Sequence, residues 1–582
     1  MFLLGFSFAG WVFAQAIPPQ DPTGTESGRF QQSWERFRIE QQIQQATSPI
    51  QGGQVVSPQL PPPELSDKSR EKLFKLNQVL FEPIPKSIPL AELEAVTDQY
   101  IAMEAVSIYD LYHMILGIDA LFDKRHVLGR AGLPVQDVEN GVVTVQIIEG
   151  RETKRTITTK VQPCFDCNGN TSLFPSYRLF GRPFVQHQLR FCGDPSFDIS
   201  NLEEEILRYN RTFRSQLVAE IEPGHDLGDC TLKLTRVLPQ PVSGGYYVDN
   251  SGRETSGRIR QGVYMNLSDI LGANDSFFIS YDKTEGTSAL YAQGEVPVSP
   301  FGTFFDMSYY YGEPKTLTGP FAVLEINGTS EQYRPGFRQI LVNQKDQRLD
   351  ATFYYQNYDS KTFFDTSLNY AEKHDALTFG LEYSRQWKKS ALFAGVSLVA
   401  GNARTLAPPL GEYVENDFSL LKMNLMQVWY PSKKWTFILR GNGNMAMADL
   451  PQSQAFQIGG MSTVRGTPEA MMSDDYGYLV TAEARRLIWS GQGLRKSWKQ
   501  HSKAELFAFL DHGGLFHRDS SHEPGSADFL SSLGAGATIH LGKHCLLSGG
   551  YGQPILTNEA HSEAYRDLLR HGNGFFTARV MF

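Results

Sequence analysis

The stretch from Ala504 to Asp511, A-E-L-F-A-F-L-D, alternates two sets of side chains. One set is Ala504, Leu506, Ala508 and Leu510, and the other is Glu505, Phe507, Phe509 and Asp511. Successive side chains of a β-strand point to opposite faces, so this period of two predicts a strand with one small and apolar face. Asp511 is then expected on the face of Glu505, opposite the apolar set.

The same alternation continues from residue 242 to residue 582. One pair of sets is Phe305, Met307, Tyr309 and Tyr311 against Asp306 and Ser308; another is Phe576, Ala578, Val580 and Phe582 against Thr577, Arg579 and Met581. Such strands are typical of an outer-membrane β-barrel, and about 340 residues leave about 21 for each of about 16 strands. This estimate does not distinguish between about 14, 16 and 18 strands. A soluble β-sandwich of this length is the alternative, but it needs several cores and linkers, and no linker follows Pro241.

The composition agrees with many short strands. The 582 residues include 38 Phe, 25 Tyr and 52 Gly. A net charge of -9 argues against a nucleic-acid partner, because no basic stripe is available to neutralise phosphates. No internal apolar run approaches the roughly 18 to 20 residues of a membrane-spanning helix. If the chain crosses a membrane, a closed β-sheet is the remaining way to satisfy its backbone.

The N-terminal region predicts export. Residues 1–16 are apolar and end in Ala14-Gln15-Ala16, as in a signal peptide, although no Lys or Arg precedes the apolar run, which leaves the true start open. Within residues 17–46, Arg29–Ala46 predicts a polar helix whose narrow apolar stripe suits a polar channel; a disordered tail is the alternative. The stripe consists of Phe30, Trp34 and Phe37. Residues 47–70 are rich in Pro and Gln and predict an extended linker.

Two small α/β domains are predicted between the linker and the barrel. Residues 71–151 indicate a strand near Phe74–Phe81, helices over Leu90–Met103 and Ile108–Phe122, and a strand within Gly141–Arg151. Residues 152–241 indicate strands at Leu189–Phe191, Leu217–Ile221 and Thr231–Leu238, and a helix over Ser200–Asn210. Prolines at 239 and 241 end the second domain.

An ordered set of motifs resembles the two-partner-secretion outer-membrane transporters, the hemolysin and adhesin secretion/activation family. Arg130–Asp137 with Gly141–Arg151 is similar to the end of the family's first polypeptide-transport-associated (POTRA) domain, and Leu202–Asn210 with Glu222–Gly224 is similar to the second. Asp249–Gly252, Thr255–Arg258 and Arg260 resemble its first barrel hairpin. Val464–Gly466 and Phe509–Gly513 resemble two motifs of the wider outer-membrane assembly superfamily. Each motif is weak alone, but the set covers nearly the whole chain in the family's order.

The resemblance implies a transmembrane antiparallel β-barrel of sixteen strands (242–582), two periplasmic POTRA domains (71–151 and 152–241), and a plug helix in the resting pore. The implied function is to move one large, extended, β-helical exoprotein of hemolysin or adhesin type to the cell surface. The implied partners are this exoprotein, the lipid bilayer and the barrel-assembly machinery. No cofactor is implied, and the energy would come from the exoprotein folding outside. By analogy, the second POTRA domain, roughly residues 172–240, would bind the exoprotein by strand addition.

The resemblance also gives a role to the stretch F-Q-I-G-G-M-S-T-V-R-G at 456–466, within a loop near 456–470. In related barrels the loop enters the lumen, and its arginine, here Arg465 of Val464-Arg465-Gly466, pairs with the aspartate that matches Asp511. Read alone, the motif favours an ordinary surface hairpin with a solvated Arg465. Breaking the pair would cost about 3 to 5 kcal/mol if it is desolvated and about 0 to 1 kcal/mol if it is wet.

Other residues carry open alternatives. Phe582 resembles the terminal aromatic residue by which barrels are recognised for assembly, or is simply a lipid-facing strand end. After export, Cys164 with Cys167 and Cys192 with Cys230 are expected to form disulfides; zinc and a redox pair are the alternatives. His512 follows Asp511 in a strand, so the two point apart and do not form a joint site. No nucleophile elbow, H-E-x-x-H or phosphate loop is present, and no enzymatic activity is expected.

Three functions remain at the level of sequence. A dedicated exoprotein transporter is favoured. A barrel-assembly factor is disfavoured, because such proteins usually carry three or more POTRA domains and lack a plug helix and Pro-rich linker. A passive porin gives no role to residues 71–240.

Overall fold

The computed structural model describes residues 55–56, 70–138, 140–161, 199–223, 225–226, 228–319, 322–406, 412–491, 502–516, 527–542, 544–557 and 571–582. The predicted signal peptide and plug helix, most of the linker, and Cys164, Cys167 and Cys192 lie outside these residues. The described residues before Gln240 belong to one compact unit, and those from Gln240 to Phe582 belong to another. Among the described residues, no helix has the length and apolarity needed to cross a bilayer.

The first unit contains nine strands and three helices in the described residues. The strands are β1 (Val55–Val56), β2 (Lys72–Phe74), β3 (Gln78–Glu82), β4 (Val106–Ser107), β5 (Gly129–Gly132), β6 (Val142–Glu149), β7 (Arg151–Val161), β8 (Gln216–Pro223) and β9 (Asp229–Leu238). The helices are α1 (Leu90–Ile101), α2 (Ile108–Lys124) and α3 (Ile199–Thr212).

The first α/β domain of this unit packs α1 and α2 on a small sheet of order β3-β6-β5. Strand β3 runs parallel to β6, and β5 runs antiparallel to it. Ser107 begins α2 with a capping box, in which its hydroxyl accepts from the Asp110 N–H and the Asp110 carboxylate accepts from the Ser107 N–H. Leu93, Met114 and Val145 are fully buried in the core. The two helices expected from the sequence are therefore present.

The second α/β domain consists of α3 and a sheet of order β1-β8-β9-β7. Tyr209 of α3 and Phe213 directly after it are buried, as are the alternate residues Leu232 and Leu234 of β9. At the edge of this sheet, Val55 and Val56 pair in parallel with Ala219 and Glu220 of β8. A segment of the predicted linker thus forms the edge strand.

The second unit is a closed barrel of sixteen strands, each antiparallel to its neighbours. Its strands are β10 (Val242–Asp249), β11 (Arg260–Ser268), β12 (Ser276–Lys283), β13 (Thr287–Pro297), β14 (Thr303–Pro314), β15 (Ile326–Asn343), β16 (Gln347–Phe364), β17 (Ser367–Trp387), β18 (Ser390–Leu406), β19 (Tyr413–Ser432), β20 (Trp435–Ala446), β23 (Tyr476–Trp489), β24 (Lys503–Phe516), β25 (Ala527–Leu541), β26 (Cys545–Thr557) and β27 (Asn573–Met581). Two short strands, β21 (Phe456–Ile458) and β22 (Met472–Asp474), pair with each other and are not members of the ring. The strand count that the sequence left open is therefore sixteen.

Alternation along the strands separates the two faces of the barrel wall. On β14, Asp306 and Ser308 are buried, whereas Met307 between them is exposed. On β24, Asp511 is buried and Leu510 is exposed. Exposed aromatic residues such as Phe379 lie on the outer face, as lipid-facing residues of such barrels do. The sequence pattern therefore assigned the inner and outer faces of both strands correctly.

The barrel closes where β10 meets β27. This ladder has five paired positions, from Gly245 with Met581 to Asp249 with Thr577. Past its end, the Asn250 side chain donates to the Gly574 carbonyl (2.8 Å) and accepts from the Phe576 N–H (2.9 Å). A side-chain amide thereby extends a short backbone ladder, which keeps the ring closed at the seam.

Candidate functional site

The segment 447–475 between β20 and β23 folds into the barrel, and we call it the lumenal loop. Its stem is the β21–β22 hairpin, with Phe456 opposite Asp474 and Ile458 opposite Met472. Apolar side chains hold the stem to the inner wall of β23, β24 and β25. They are Phe456, Ile458, Val464 and Met472 of the loop and Leu479, Leu515 and Leu530 of the wall. The hairpin tip is consequently presented to the inner wall.

At the tip, Arg465 lies against Asp511 of β24. The guanidinium donates from Nε to Asp511 Oδ2 (2.8 Å) and from Nη2 to Oδ1 (2.9 Å). The backbone N–H of Arg465 also donates to Oδ2 (3.1 Å). Two parallel bonds from one guanidinium fix both distance and orientation, which a lysine at this position would not do. The two residues that the sequence paired are therefore in contact.

Glu483 of β23 is a second carboxylate at the same guanidinium. Arg465 Nη1 donates to Glu483 Oε2 (2.5 Å), and Arg485 Nε donates to Glu483 Oε1 (2.6 Å). The guanidinium carbon also lies 3.6 Å from the centre of the Phe509 ring. Two cations thus face two carboxylates, and an aromatic ring covers one face of the arginine.

Sequence reasoning did not find Glu483, Arg485 or Phe509 as parts of this site. The period of two was available as a signal, since it places Glu483 and Arg485 on one face of β23 and Phe509 on the face of Asp511. The register then sets Glu483 directly opposite Phe509. That register depends on the strand pairing, which the single sequence does not specify.

Gly466 brings the tip against a third part of the wall. Its φ is +91°, and a Cβ at this position would lie 2.2 Å from the carbonyl oxygen of Gly552 on β26. Its own carbonyl accepts from the Asn573 side chain of β27 (3.1 Å). Only glycine combines this backbone conformation with so close an approach. The motif Val464-Arg465-Gly466 therefore uses an apolar contact, an ion pair and a backbone contact in succession.

Burial sets the strength of the Arg465 site. Asp511 is 0% exposed and Arg465 is 7% exposed. Removing one member of a buried ion pair leaves an uncompensated charge and costs about 3 to 5 kcal/mol. The larger of the two expected costs, the one for a desolvated ion pair, therefore applies. The side chains of this site are arranged to hold a loop in place rather than to make or break covalent bonds.

The other predicted residues lie apart from this site. Phe582 follows β27, and its N–H and carbonyl pair with Gly244. Cys230 is buried in β9, and its predicted partner Cys192 lies outside the described residues, as do Cys164 and Cys167. His512 bonds to Tyr478 (2.8 Å) and Ser531 (2.7 Å), whereas Asp511 bonds to Arg465, in keeping with the expected divergence of the two side chains.

Known proteins are similar to this chain in sequence and in structure. The model of the family described as haemolysin secretion/activation protein ShlB/FhaC/HecB matches residues 228–539, more than half of the chain. The chain belongs to this haemolysin secretion/activation family. The heme/hemopexin transporter protein HuxB of Haemophilus influenzae is 22% identical over 585 residues, covering 96% of each protein. The outer membrane transporter CdiB of Dickeya dadantii is 22% identical over 392 residues, covering 63% of this chain and 64% of that protein.

Among solved structures, CdiB from Escherichia coli is similar over 98% of this chain and 100% of its own, with a TM-score of 0.61 and 16% identity. Family membership places the barrel in the outer membrane and the two α/β domains, as POTRA domains, in the periplasm. Only three residues separate the end of β9 from β10, so β10 starts at the periplasmic side of the barrel and ends at the cell-surface side. Strand β20 runs in the same direction as β10 in the sixteen-stranded ring. The lumenal loop therefore enters the pore from the cell-surface side.

Proposed function

We propose that this member of the family recognises one large exoprotein of hemolysin or adhesin type, with an extended β-helical fold, and moves it from the periplasm to the cell surface. The observation that carries this proposal is the loop pinned by Arg465 inside a closed sixteen-stranded barrel. A passive pore has no need of a buried, bidentate ion pair that holds a loop across its lumen. A transporter that opens for one cargo does have such a need.

Recognition would take place at the second POTRA domain. The outer edge of β8 already pairs in parallel with Val55 and Val56, so its backbone groups accept an added strand. Strand addition depends on backbone hydrogen bonds, and alternate side chains select the sequence. An extended exoprotein segment would take the place that β1 occupies, once that part of the linker leaves. We likewise propose that the two POTRA domains span residues 71–151 and 152–241.

The resting pore would hold the helix formed by residues 29–46. The stripe of Phe30, Trp34 and Phe37 would face the wall, and the many Gln and charged residues would face the polar lumen. Deletion of residues 17–46 is expected to convert a mostly closed channel into one with large, steady conductance in planar bilayers. Large conductance from the intact chain would favour a porin instead.

The periplasmic cysteines would form disulfides, Cys164 with Cys167 and Cys192 with Cys230. An oxidising compartment favours such bridges in small domains. Intact-protein mass, measured with and without reductant after thiol alkylation, separates four bridged cysteines from four thiols. Phe582 would serve as the terminal signal for the barrel-assembly machinery, and its replacement by Ala would lower the folded amount of the protein.

The function itself is tested by secretion. Candidate exoproteins from the organism that carries this chain are co-expressed with it, one at a time, in a host that lacks related transporters. We expect the exoprotein in the medium only when this chain is present, and unchanged levels of other outer-membrane proteins when the chain is absent. Retention of the exoprotein together with a fall in other barrels on deletion of the chain would support a barrel-assembly factor and contradict the transporter.

A further inference from the structure

The lumenal loop touches the barrel wall at a second place, on β17 and β19 rather than on β23 and β24. Residues 449–455, which we call the leading arm, run from the end of β20 to the β21–β22 stem. The side chain of Ser453 is 1% exposed and that of Gln454 is 0% exposed. Both are buried against inward-facing residues of β17 and β19. An arm of a loop that is buried so fully is packed against a specific surface.

Glu372 of β17 is the main acceptor for the leading arm. Its carboxylate accepts from the Ser453 N–H (3.3 Å) and from the Ser453 hydroxyl. It also accepts from the Tyr370 hydroxyl (2.9 Å), and His374 Nδ1 lies 3.3 Å from it. A buried carboxylate is stable only when it is well bonded, so Ser453 supplies bonds that Glu372 requires.

His374 and Lys422 complete the surface. The His374 ring lies between Ser453 Oγ (3.2 Å from Nδ1) and Gln454 Nε2 (3.4 Å from Nε2). Lys422 of β19 donates to Gln454 Oε1 (3.1 Å). The Tyr358 ring stacks on the imidazole at 4.9 Å, which fixes its plane. Each polar atom of the arm that faces the wall thus meets a wall side chain.

The combination of Ser453, His374 and Glu372 is not a catalytic triad. In such a triad the hydroxyl and the carboxylate bond to different nitrogens of the imidazole. Here both lie at Nδ1, and Ser453 bonds directly to Glu372. All three side chains are also about 1% exposed, which leaves no access for a substrate. Their chemistry is that of an attachment.

The leading arm and Gly466 lie on opposite walls, and the Arg465 contacts on β23 and β24 lie between them. In the ring that starts at β10, β17 is the eighth strand, and β26 and β27 are the fifteenth and sixteenth. Ser453 is held at β17, whereas Gly466 is packed on β26 and bonded to Asn573 of β27. The loop therefore crosses the lumen from one side to the other.

The geometry points to Glu372, His374 and Lys422 as a second attachment site for the lumenal loop, one that fixes its leading arm independently of Arg465. The loop is then a strut held at both ends. Release of the tip alone leaves the leading arm on its wall, and the reverse also holds. These residues position the loop. This second attachment site does not depend on which exoprotein the barrel transports.

Two buried positions serve as probes in the full chain: Thr463→Cys at the tip and Ala455→Cys in the leading arm. Intact cells are treated with a polyethylene-glycol maleimide too large for porins, so that only cysteines reachable from the cell surface react. The variant Glu372→Gln/His374→Gln is expected to raise labelling at 455 about tenfold, because it removes about 1.4 kcal/mol of hydrogen bonding from the leading arm. Labelling at 463 is expected to stay unchanged. Arg465→Ala is expected to give the opposite pattern.

The matched control is Asp306→Asn. It makes the same carboxylate-to-amide change at a buried lumenal residue that bonds to Gln293 rather than to the loop. Folding is checked by the mobility of the unheated barrel on gels. Where the double variant does not fold, Ser453→Ala removes the loop's hydroxyl and leaves the wall intact. Labelling at 455 that matches the Asp306→Asn control, or that rises equally at 463, would overturn the proposal. No cargo is needed, so failure of the secretion test leaves this result readable.

Discussion

At its tip the lumenal loop supplies the charged group, Arg465, and the wall supplies Asp511 and Glu483. At its leading arm the wall supplies the charge, Glu372, and the loop supplies the neutral Ser453 and Gln454. Removing Arg465 leaves the buried Asp511 without its cation, whereas removing the Ser453 hydroxyl leaves Glu372 with its other donors. The tip should therefore respond steeply to a single substitution, and the leading arm only in small steps.

The largest effect is expected from Arg465→Ala. Loss of the guanidinium leaves Asp511 uncompensated at a cost of about 3 to 5 kcal/mol in tip attachment, and secretion should fall at least tenfold. The barrel should still assemble, because β23 and β24 keep their full ladder. Exoprotein in the medium and folded barrel in the membrane are measured together.

Arg485→Ala is the control for this change. It removes a cation from the same carboxylate, Glu483, but lies on the wall strand β23 rather than on the loop. Its effect on secretion should be clearly smaller. Unchanged secretion by an Arg465→Ala protein present at normal levels would remove the tip from the mechanism.

A smaller effect at the tip is expected from Gly466→Ala. The positive φ costs a non-glycine residue about 1 to 3 kcal/mol, and the new methyl group would meet the Gly552 carbonyl. Secretion should drop several-fold, with Arg465 still in place. Gly441→Ala in β20 is the control, because a Cβ there meets nothing closer than 3.9 Å. Equal defects in the two variants would show that the close approach of Gly466 has no special role.

On the leading arm, Ser453→Ala should have a modest effect. One hydroxyl is lost, worth about 0.5 to 1.5 kcal/mol, and Glu372 retains the Ser453 N–H and Tyr370 as donors. Labelling of Ala455→Cys is expected to rise a few-fold, and secretion is expected to change by less than it does for Gly466→Ala. A secretion defect as large as that of Arg465→Ala would reverse the ranking of the two attachments.

The smallest effect is expected from His512→Ala. His512 bonds to Tyr478 and Ser531 and shares no site with Asp511. Two hydrogen bonds beside the wall are lost, so the barrel should unfold at a slightly lower temperature while secretion stays normal. Heat-dependent mobility on gels measures the first quantity. A strong secretion defect in a folded His512→Ala protein would show that Asp511 and His512 act together.

The tip contact could be expected from the sequence because two independent signals met there. The period of two placed Asp511 on the inner face, and the resemblance supplied its arginine. The strand count needed the resemblance, since dividing about 340 residues by strand length leaves about 14 to 18 strands open. The fold of the barrel thus followed from pattern and motif together.

The leading-arm contact could not be expected in this way. Glu372 and Ser453 are 81 residues apart, and no motif marks either one. Their contact depends on how far the loop reaches across a ring whose size and register come from pairing of distant strands. Glu483 illustrates the same limit at the tip, since its place beside Phe509 depends on the register of β23 and β24.

The most direct measurement is a double-mutant comparison of secretion at the tip. Arg465→Ala, Asp511→Ala and the combined variant are expressed at equal folded levels with the exoprotein. If the ion pair holds the tip, either single change breaks it, and the combined variant should secrete at least as well as the less active of the two single variants. A combined defect equal to the product of the two single defects would mean that Arg465 and Asp511 act independently, and it would contradict the account.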